Sequence, residues 1–347
     1  MGNMLPDRHP NRDFFILDVS DAAPKDDMAS MEHPVFSLSV KPDMRELEYQ
    51  HDGKRVIVVP SGKGLATIMD KDILLYCISK LVHSLNSGEE ISPWVDLTAH
   101  EVMISTNWRT NQESYRRFED ALDRLRGTTI KTNIKTGEHT QIRGFGLIDE
   151  YEIVRRDEVG EDGPFGRMAR VRIKVSDWTF RAVQGMEVLT INPQYFRLRR
   201  PLERRIYELA RKHVGDRGTP FTIGLAKLKK KVGSNSPDKK FKFFLKQIAL
   251  DDHIPDYDIE LRNENVVFKA KRPGFSKGQI EMALGLPSTP SPALVEKARR
   301  AAPGFDIYAL YQEWRGFAGG QSEPPRSIDA AFLGFCKKKS GKIVDTR

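Results

Sequence analysis

The chain has little of what cross-links, exports or embeds a protein. Its 347 residues include two cysteines, Cys77 and Cys336, too few for a disulfide framework or a Cys-based zinc site. Mean hydropathy is −0.50, and no run approaches the roughly 18 apolar residues that a membrane span needs. The Asp-rich first 30 residues lack the ordered segments of a secretion signal. We therefore expect a protein of the reducing cytoplasm rather than of a membrane.

Recognisable enzyme motifs are also missing. The sequence Pro-Ser-Gly-Lys-Gly at 60–64 lacks the upstream glycine and the Ser or Thr of a phosphate loop, and it favours a turn. None of the eight histidines lies two or four residues from another, which excludes a local His-x-His or His-Glu-x-x-His metal site. We therefore expect no enzyme activity, no metal and no cofactor.

Positive charge is present, and it is concentrated in one segment. The chain has 56 Lys+Arg and 48 Asp+Glu, a net charge of +8. Residues 196–246 hold 16 basic and 4 acidic residues, a net +12, and the remainder holds 40 and 44. A surface of one sign attracts a polyanion and gains free energy by releasing counterions. Nucleic acid is the partner expected first, anionic membrane is second, and a solvated helix face is the structural alternative.

The first half of the chain shows the order of elements of a winged helix. Apolar spacing predicts a helix over 70–85, and the capping-box patterns Thr98–Glu101 and Thr110–Glu113 predict the starts of two more. Strand-like segments follow, the first two being expected to form the wing, the β-hairpin after the third helix; they lie at 128–134, 140–148 and 169–175. Short strands are expected before the helices, at 35–40, 45–50 and 54–59, the last two joined by a turn at Asp52-Gly53.

The same order recurs in the second half. Apolar spacing predicts helices over 201–214, 222–232 and 237–250, and then strands over 256–261 and 266–271. Ser236 and Pro237 suit the N-cap and first position of the third helix. At one constant offset, its Phe241, Phe244 and Ile248 match Tyr115, Phe118 and Leu122.

These patterns predict an α+β fold with two tandem winged-helix domains and a small C-terminal helical module. The expected parts are a mobile N-terminal tail (1–30), a first winged helix with N-terminal strands (31–190), a second, basic one (191–272), a linker (273–291) and the C-terminal module (292–347), with helices near 292–301, 305–316 and 327–337. Below, 31–190 is the first unit and 191–272 the second unit.

The third helix of the second unit is the main candidate for DNA contact. If Phe241, Leu245 and Ile248 face the core, the opposite side is rich in lysine. An α-helix fits the major groove, where Asn and Lys can bond base edges and lysines bind phosphates. The candidates on this helix and the turn before it are Ser234, Asn235, Ser236, Lys239, Lys240, Lys242, Phe243 and Lys246. The preceding helices add Lys229, Lys230, Arg204 and Arg205.

The equivalent helix of the first unit carries both signs of charge. Candidate DNA contacts are Asn107, Arg109, Asn111, Arg116 and Arg117, with Lys131 and Lys135 on the wing. Glu113, Glu119, Asp120 and Asp123 lie on the same helix. The alternative is that the charges form intrahelical ion pairs, such as Glu113 with Arg117. A mixed surface also suits a homodimer interface, so this unit is a candidate for pairing in one state and DNA binding in another.

Four segments resemble the replication initiator protein A family of plasmids. They are GLATIMDKDILLYCISKLV (64–82), RPLERRIYELARKHVG (200–215), KKKVGSNSPDKKFKFFLKQI (229–248) and DHIPDYDI (252–259), and the resemblance covers most of residues 30–272. The segments APGFDIYALYQEWRGF (302–317) and DAAFLGFCKK (329–338) resemble a small helical module that ends many such initiators. Val214 stands where the family pattern has Cys, a substitution that does not bear on function.

The resemblance implies an origin-binding protein that recognises repeated duplex sites sequence-specifically, helps to open the adjacent duplex and recruits the host replicative helicase or its loader. It further implies a monomer that initiates and a homodimer that represses. A winged-helix transcriptional repressor without initiator activity is the alternative. A nicking or priming enzyme would need the motifs whose absence was noted above. The sequence shows no five-stranded barrel pattern with stacking aromatics, so single-strand binding ranks below duplex binding.

Overall fold

The computed structural model describes residues 4–9, 16–18, 34–51, 54–136, 139–156, 167–185, 189–214, 219–271, 289–319 and 327–344. The helices are α1 (Lys71–Asn86), α2 (Ala99–Ser105), α3 (Gln112–Gly127), α4 (Asp177–Gln184), α5 (Pro201–Val214), α6 (Leu225–Val232), α7 (Asp238–Asp251), α8 (Pro292–Ala301), α9 (Ile307–Gly319) and α10 (Ile328–Val344). The strands are β1 (Ile16–Asp18), β2 (Leu47–His51), β3 (Lys54–Val59), β4 (Trp94–Leu97), β5 (Thr129–Thr136), β6 (His139–Gly146), β7 (Ile148–Arg156), β8 (Arg167–Val175), β9 (Leu189–Ile191), β10 (Phe221–Gly224), β11 (Tyr257–Arg262) and β12 (Asn265–Ala270).

The second unit is a winged helix with one strand more than the sequence indicates. Its order is α5, β10, α6, α7, β11 and β12, and the strands form an antiparallel sheet in the order β10-β12-β11. The expected helix over 222–232 is divided, because Phe221 to Gly224 pair with β12 and the helix begins at Leu225. The alternating Phe-Thr-Ile sequence suits this short strand better than a helix.

The first unit has the same arrangement around a different wing. Its sheet has the order β4-β8-β7, so α1, β4, α2, α3 and the hairpin β7–β8 reproduce the order of the second unit. The predicted wing, β5–β6, instead joins β2–β3 in a four-stranded antiparallel sheet of order β2-β3-β5-β6. The assignment of Lys131 and Lys135 to the wing is therefore wrong. Consecutive hairpins look alike in sequence, and only their pairing partners tell them apart.

One predicted capping box forms, and the predicted N-caps of α3 and α7 each shift by one residue. Thr98 Oγ1 accepts from the Glu101 amide at 3.1 Å, and Glu101 Oε2 accepts from the Thr98 amide at 3.0 Å. The box expected at Thr110 is replaced by Asn111, whose Oδ1 accepts from the Ser114 amide at 3.1 Å. Pro237, not Ser236, occupies the N-cap of α7.

The two third helices bury equivalent apolar triads. Phe118, Leu122 and Leu125 of α3 and Phe241, Leu245 and Ile248 of α7 are all buried. Tyr115 and Phe244 are only half-buried. In the structure Phe241 therefore corresponds to Phe118, one helical turn further along α3 than the predicted match, Tyr115. The sequence pattern misplaced the match because a half-buried aromatic residue beside the core cannot be distinguished from a fully buried one by spacing alone.

Buried apolar side chains form three clusters along the chain. The first contains residues from Val56 to Val183, the second from Ile191 to Phe268, and the third from Leu294 to Cys336. Leu75 of α1 belongs to the second cluster and so joins the first unit to it. The linker prediction at 273–291 falls largely outside the described residues.

The N-terminal segments make specific contacts. Strand β1 pairs antiparallel with β9, and the Leu5 amide donates to the Arg197 carbonyl at 2.8 Å. These contacts contradict a mobile tail for the described parts of residues 1–30. Residues 35–40 form no strand beyond a single parallel bridge between Ser37 and Thr67.

Helices α8, α9 and α10 form the C-terminal module, which packs on the second unit. Arg211 of α5 pairs with Glu296 of α8, and both are buried. Tyr308 Oη donates to Asp256 Oδ2 at 3.0 Å. Within the described ranges, no helix is both long and apolar enough to cross a membrane.

Candidate nucleic-acid interface

Helix α7 presents a basic face to solvent. Lys239, Lys242, Phe243 and Lys246 lie at i, i+3, i+4 and i+7 of the helix, which places them on one side; this group is called the lysine face below. The buried triad of α7 occupies the opposite side. Phe243 is 56% exposed, a large apolar area on a surface otherwise suited to phosphate, where it could contact a thymine methyl group.

Part of the positive charge on this surface is neutralised by carboxylates. Lys242 pairs with Glu264 between β11 and β12, and Lys229 Nζ lies 2.6 Å from Asp238 Oδ1. Lys230, Lys239 and Lys246 have no carboxylate partner among the described residues. These three lysines therefore leave a positive charge that an external anion can neutralise.

The turn before α7 is held against the first unit. Gly233 has φ +71°, and a Cβ on it would lie 2.5 Å from the Pro34 ring, so the close approach requires glycine. Asn235 in this turn is exposed, whereas Ser234 and Ser236 are half-buried. The three residues line a groove of about 520 Å³ together with residues 37–43, Arg45 and Lys240. Lys240 is exposed, and its Nζ lies 5.8 Å from the centroid of the Phe244 ring.

The arginines predicted on α5 are engaged inside the protein. Arg204 is 3% exposed and pairs with Asp72 of α1. Arg205 donates to Glu208 Oε2 and to the Lys231 carbonyl, each at 3.1 Å. The prediction of DNA contact is therefore wrong for Arg204. The Arg205 guanidinium is engaged in hydrogen bonds within the protein. Charge counting along a helix cannot separate a solvent-facing arginine from one that faces a second domain.

In the first unit, the predicted residues differ in accessibility. Arg109, Asn111 and Arg116 are exposed. The Arg117 guanidinium lies 4.1 Å from the Trp108 ring centroid, a cation–π contact. Asn107 is 2% exposed and has φ 61°, and its Oδ1 accepts from the Arg8 amide at 2.8 Å. Its predicted role as a DNA contact is wrong, because the side chain is buried in contact with the N-terminus.

Three acidic side chains of α3, those of Glu119, Asp120 and Asp123, pair with neighbouring elements. Lys63 Nζ lies 2.6 Å from Asp120 and 2.7 Å from Asp123, and Arg155 of β7 pairs with Glu119. Their negative charge is therefore partly neutralised by the fold. Of the exposed arginines, Arg109, Arg116 and Arg117 lie in the first half of the helix or in the turn before it, and Arg126 lies in its last turn.

The remaining two predicted residues lie apart from this surface. Lys131 is exposed on β5, within the four-stranded sheet. Lys135 belongs to the same strand, and its side chain lies outside the described residues.

Buried ion pairs join the two units. Lys71 Nζ lies 3.0 Å from Glu208 Oε1, and Asp72 accepts from both Arg204 and Trp108 Nε1, the latter at 2.7 Å. Burial by itself raises the pKa of Glu208, but the charges of Lys71 and Arg205 outweigh it and lower that pKa. These contacts hold α1 of the first unit against α5 of the second, and so fix the relation between the two candidate surfaces.

Sequence reasoning missed Arg8 and the acidic partners of these pairs. Asp72 lies in an amphipathic helix and Arg8 in a polar tail, and neither sequence context indicates a buried pair or a contact between units. No local signal could have found them, since their partners are distant in sequence.

Comparisons with known proteins agree on one family. The model of the family described as Replication initiator protein A matches residues 25–259. A protein of Wigglesworthia glossinidia brevipalpis, provisionally named a replication protein, is 36% identical over 253 residues, which are 72% of this chain and 89% of that protein. The crystal structure of domains 2 and 3 of RctB has a TM-score of 0.52 at 11% identity, over 70% of this chain and 96% of that one. This last similarity concerns the fold alone.

Proposed function

The chain belongs to the replication initiator protein A family, and from that premise we propose that it binds repeated duplex sites at a plasmid origin sequence-specifically. The single observation that supports duplex binding most directly is the lysine face of α7, together with the unpaired Lys230. The third helix of a helix-turn-helix fold is the element that enters the major groove in proteins of this type. Lys239 and Lys246, having no carboxylate partner in the described chain, carry the main contacts.

The first unit supplies a second contact in this proposal. Arg109, Asn111 and Arg116 lie in or beside the first half of α3 and are exposed. Because the buried pairs between α1 and α5 fix the two units, both third helices would meet one duplex at a set separation. Binding through two rigidly linked helices gives specificity for the spacing of half-sites as well as for their sequence.

Four further features belong to the proposal. The protein acts without catalysis of its own, promotes opening of the origin and recruits the host replicative helicase or its loader. Monomers initiate and homodimers repress. A plasmid that carries the origin but lacks this gene should be maintained when the chain is supplied in trans, an outcome that a simple repressor would not give. Sedimentation at several concentrations, with and without DNA, should show two species.

The test of duplex binding is a footprint and competition titration on DNA from the replicon of this protein, at two salt concentrations. We expect protected repeats bound at least about 10³-fold more tightly than random DNA. Replacing the three lysines of the lysine face, in the variant Lys239→Ala/Lys242→Ala/Lys246→Ala, should weaken binding and reduce the salt slope by about 0.9 for each lost phosphate contact.

The matched control removes the same charge from exposed lysines of the C-terminal module, in Lys297→Ala/Lys337→Ala/Lys338→Ala. It should leave the affinity and the salt slope nearly unchanged. Equal losses in both triple variants would show that only net charge matters. Binding without site preference would contradict the proposal of an origin-specific protein.

A further inference from the structure

The described N-terminal segment, residues 4–9, lies across the turn that precedes α3. The Arg8 guanidinium donates to the Asn107 carbonyl at 2.7 Å, Asn107 Nδ2 donates to the Pro6 carbonyl at 3.1 Å, and His9 Nε2 lies 2.9 Å from the Trp108 carbonyl. At its other end, Leu5 exchanges hydrogen bonds with Arg197. The segment thus covers the helix-turn-helix of the first unit without belonging to it.

A pocket of about 280 Å³ lies between this segment, the turn, the start of α3 and α5. Four arginines line it: Arg8, Arg109, Arg117 and Arg204. The polar side chains of Asn111 and Ser114, in and beside the first turn of α3, also line it. The pocket is thus bordered by positive charge and by the N-terminal end of a 16-residue helix.

Carboxylates of the described residues balance only part of the positive charge in the pocket, since Asp72 and Asp70 interact electrostatically with Arg117. The guanidinium of Arg8 bonds a carbonyl, that of Arg117 faces a ring, and Arg109 has no carboxylate partner in the described ranges. Burial and the nearby charge of Arg109 lower the pKa of Arg8, as expected where two like charges converge. Glu113 also lines the pocket, and it is exposed; the fourth arginine, Arg204, is neutralised by Asp72.

We propose that this pocket binds a phosphate group through Arg8 and Arg109, with Arg117 and the start of α3 completing the site. Guanidinium groups match phosphate oxygens with paired donors, and a helix N-terminus favours negative charge. The expected source is the backbone of the duplex at the first unit, so in this form the inference rests on the proposed function. The other source with the same chemistry is a free phosphate or a nucleotide.

The size of the pocket favours a backbone phosphate. Sites for whole small molecules start at about 300 Å³, so 280 Å³ suits a phosphate and part of its sugar. The position fits as well, because Arg109 and Asn111, two of the candidate DNA contacts of the first unit, lie on its wall. Arg8 then makes the N-terminal segment part of the DNA-binding surface.

The experiment compares Arg109→Ala with Arg181→Ala, which removes an exposed arginine from α4 of the same unit. The salt dependence of duplex binding is measured for both and for the wild type. We expect the slope of log affinity against log salt to fall by about 0.9 in Arg109→Ala, for one phosphate contact, and to stay unchanged in Arg181→Ala. Arg109→Lys should restore most of the slope, since it keeps the charge.

A second arm uses thermal stabilisation of the wild type and both variants by inorganic pyrophosphate and by ATP, against chloride at equal ionic strength. One outcome is that pyrophosphate or ATP stabilises the wild type but not Arg109→Ala, while the slope of log duplex affinity against log salt is the same in both. This outcome would support the phosphate site and identify a free phosphate or nucleotide as its ligand. If Arg109→Ala matches Arg181→Ala in both arms, the inference is overturned. If the wild-type protein binds no duplex but is stabilised by pyrophosphate, the proposed function is overturned, whereas phosphate binding in the pocket is still supported.

Discussion

The two winged-helix units share an order of elements but distribute charge differently on their third helices. In α7 the lysine face covers two helical turns and has one carboxylate partner, Glu264. In α3 Asp120 and Asp123 pair with Lys63, and most of the exposed arginines lie near the helix start, with Arg126 alone in the last turn. The comparison teaches that one scaffold can present a whole helix face to a polyanion or only a helix terminus.

The units also differ in what surrounds them. The first unit adds the sheet β2-β3-β5-β6, whose strands β2 and β3 precede α1 and whose strands β5 and β6 lie between α3 and the wing. Its wing has nine residues in each strand. The wing strands of the second unit have six residues each, and the C-terminal module packs beside them. The second unit, which lacks the added sheet, is the unit proposed above to make the main duplex contact.

The largest effect should come from breaking the junction between the units. Asp72→Ala removes the partner of buried Arg204 and of Trp108 Nε1. Leaving a buried guanidinium unpaired costs about 3 to 5 kcal/mol, so we expect chemical denaturation to show a loss of that size. Duplex binding should also lose its dependence on half-site spacing, because the third helices are no longer held together.

The control for this prediction is Asp96→Ala, which removes an exposed partner of Arg170. It should change stability by no more than about 1 kcal/mol. An Asp72→Ala protein as stable as Asp96→Ala would show that the buried pairs do not hold the units together.

A second, smaller effect is a pH dependence of stability that arises in the C-terminal module, which packs on the second unit. Asp306 Oδ1 accepts from the amides of Tyr308 at 2.8 Å and Ala309 at 3.2 Å, yet burial raises the pKa of Asp306 to about 7. An unfolded Asp titrates near about 3.9. The folded state therefore binds the extra proton, and the stability from it is present below about pH 4 and lost as pH rises to about 7.

Asp306→Asn keeps an oxygen acceptor for both amides and removes the titration. Thermal unfolding between pH 4 and pH 8 should show the wild type losing stability across this range relative to the variant, which becomes the more stable protein above pH 7. Asp96→Asn, at an exposed site, serves as the control. Parallel pH profiles for wild type and Asp306→Asn would contradict the prediction.

The smallest expected effect is on duplex affinity, and it tests the contribution of the lysine face of α7. Glu264→Gln removes the carboxylate that pairs with Lys242, and Glu264 is 73% exposed. An exposed pair is worth about 0.2 to 1 kcal/mol, so freeing the lysine should tighten duplex binding about 1.4- to 5-fold. Glu313→Gln, which frees Lys339 in the C-terminal module, should not change the affinity. Equal gains in both variants would mean that net charge, not the lysine face, controls binding.

The recognition of the family and of the α+β class with two winged helices is confirmed by the comparisons and the fold. The fold class follows from short-range patterns: apolar periodicity marked α1, α5 and α7, and Thr98 with Glu101 marked the start of α2. Local hydrogen bonding and one-sided burial act within a few residues, so the sequence displays them directly. The boundaries of the units and the contribution of each lysine to binding stay predictions.

Elsewhere the sequence pattern was misleading because the deciding partner is far away. The hairpin β5–β6 resembles a wing until its pairing with β3 is known. Arg204 resembles a surface arginine until Asp72, in another unit, is found beside it. Asn107 resembles a polar contact until the N-terminal residues cover it.

The sequence by itself determined most of the helices and strands, their repeated order and the basic segment at 196–246. Only the tertiary structure decided which hairpin is the wing, which arginines are buried and which cations surround the pocket beside Arg8. The physical reason is that periodicity and charge are properties of neighbours along the chain. The burial of a charge and the pairing of a strand depend on residues brought together from many positions away.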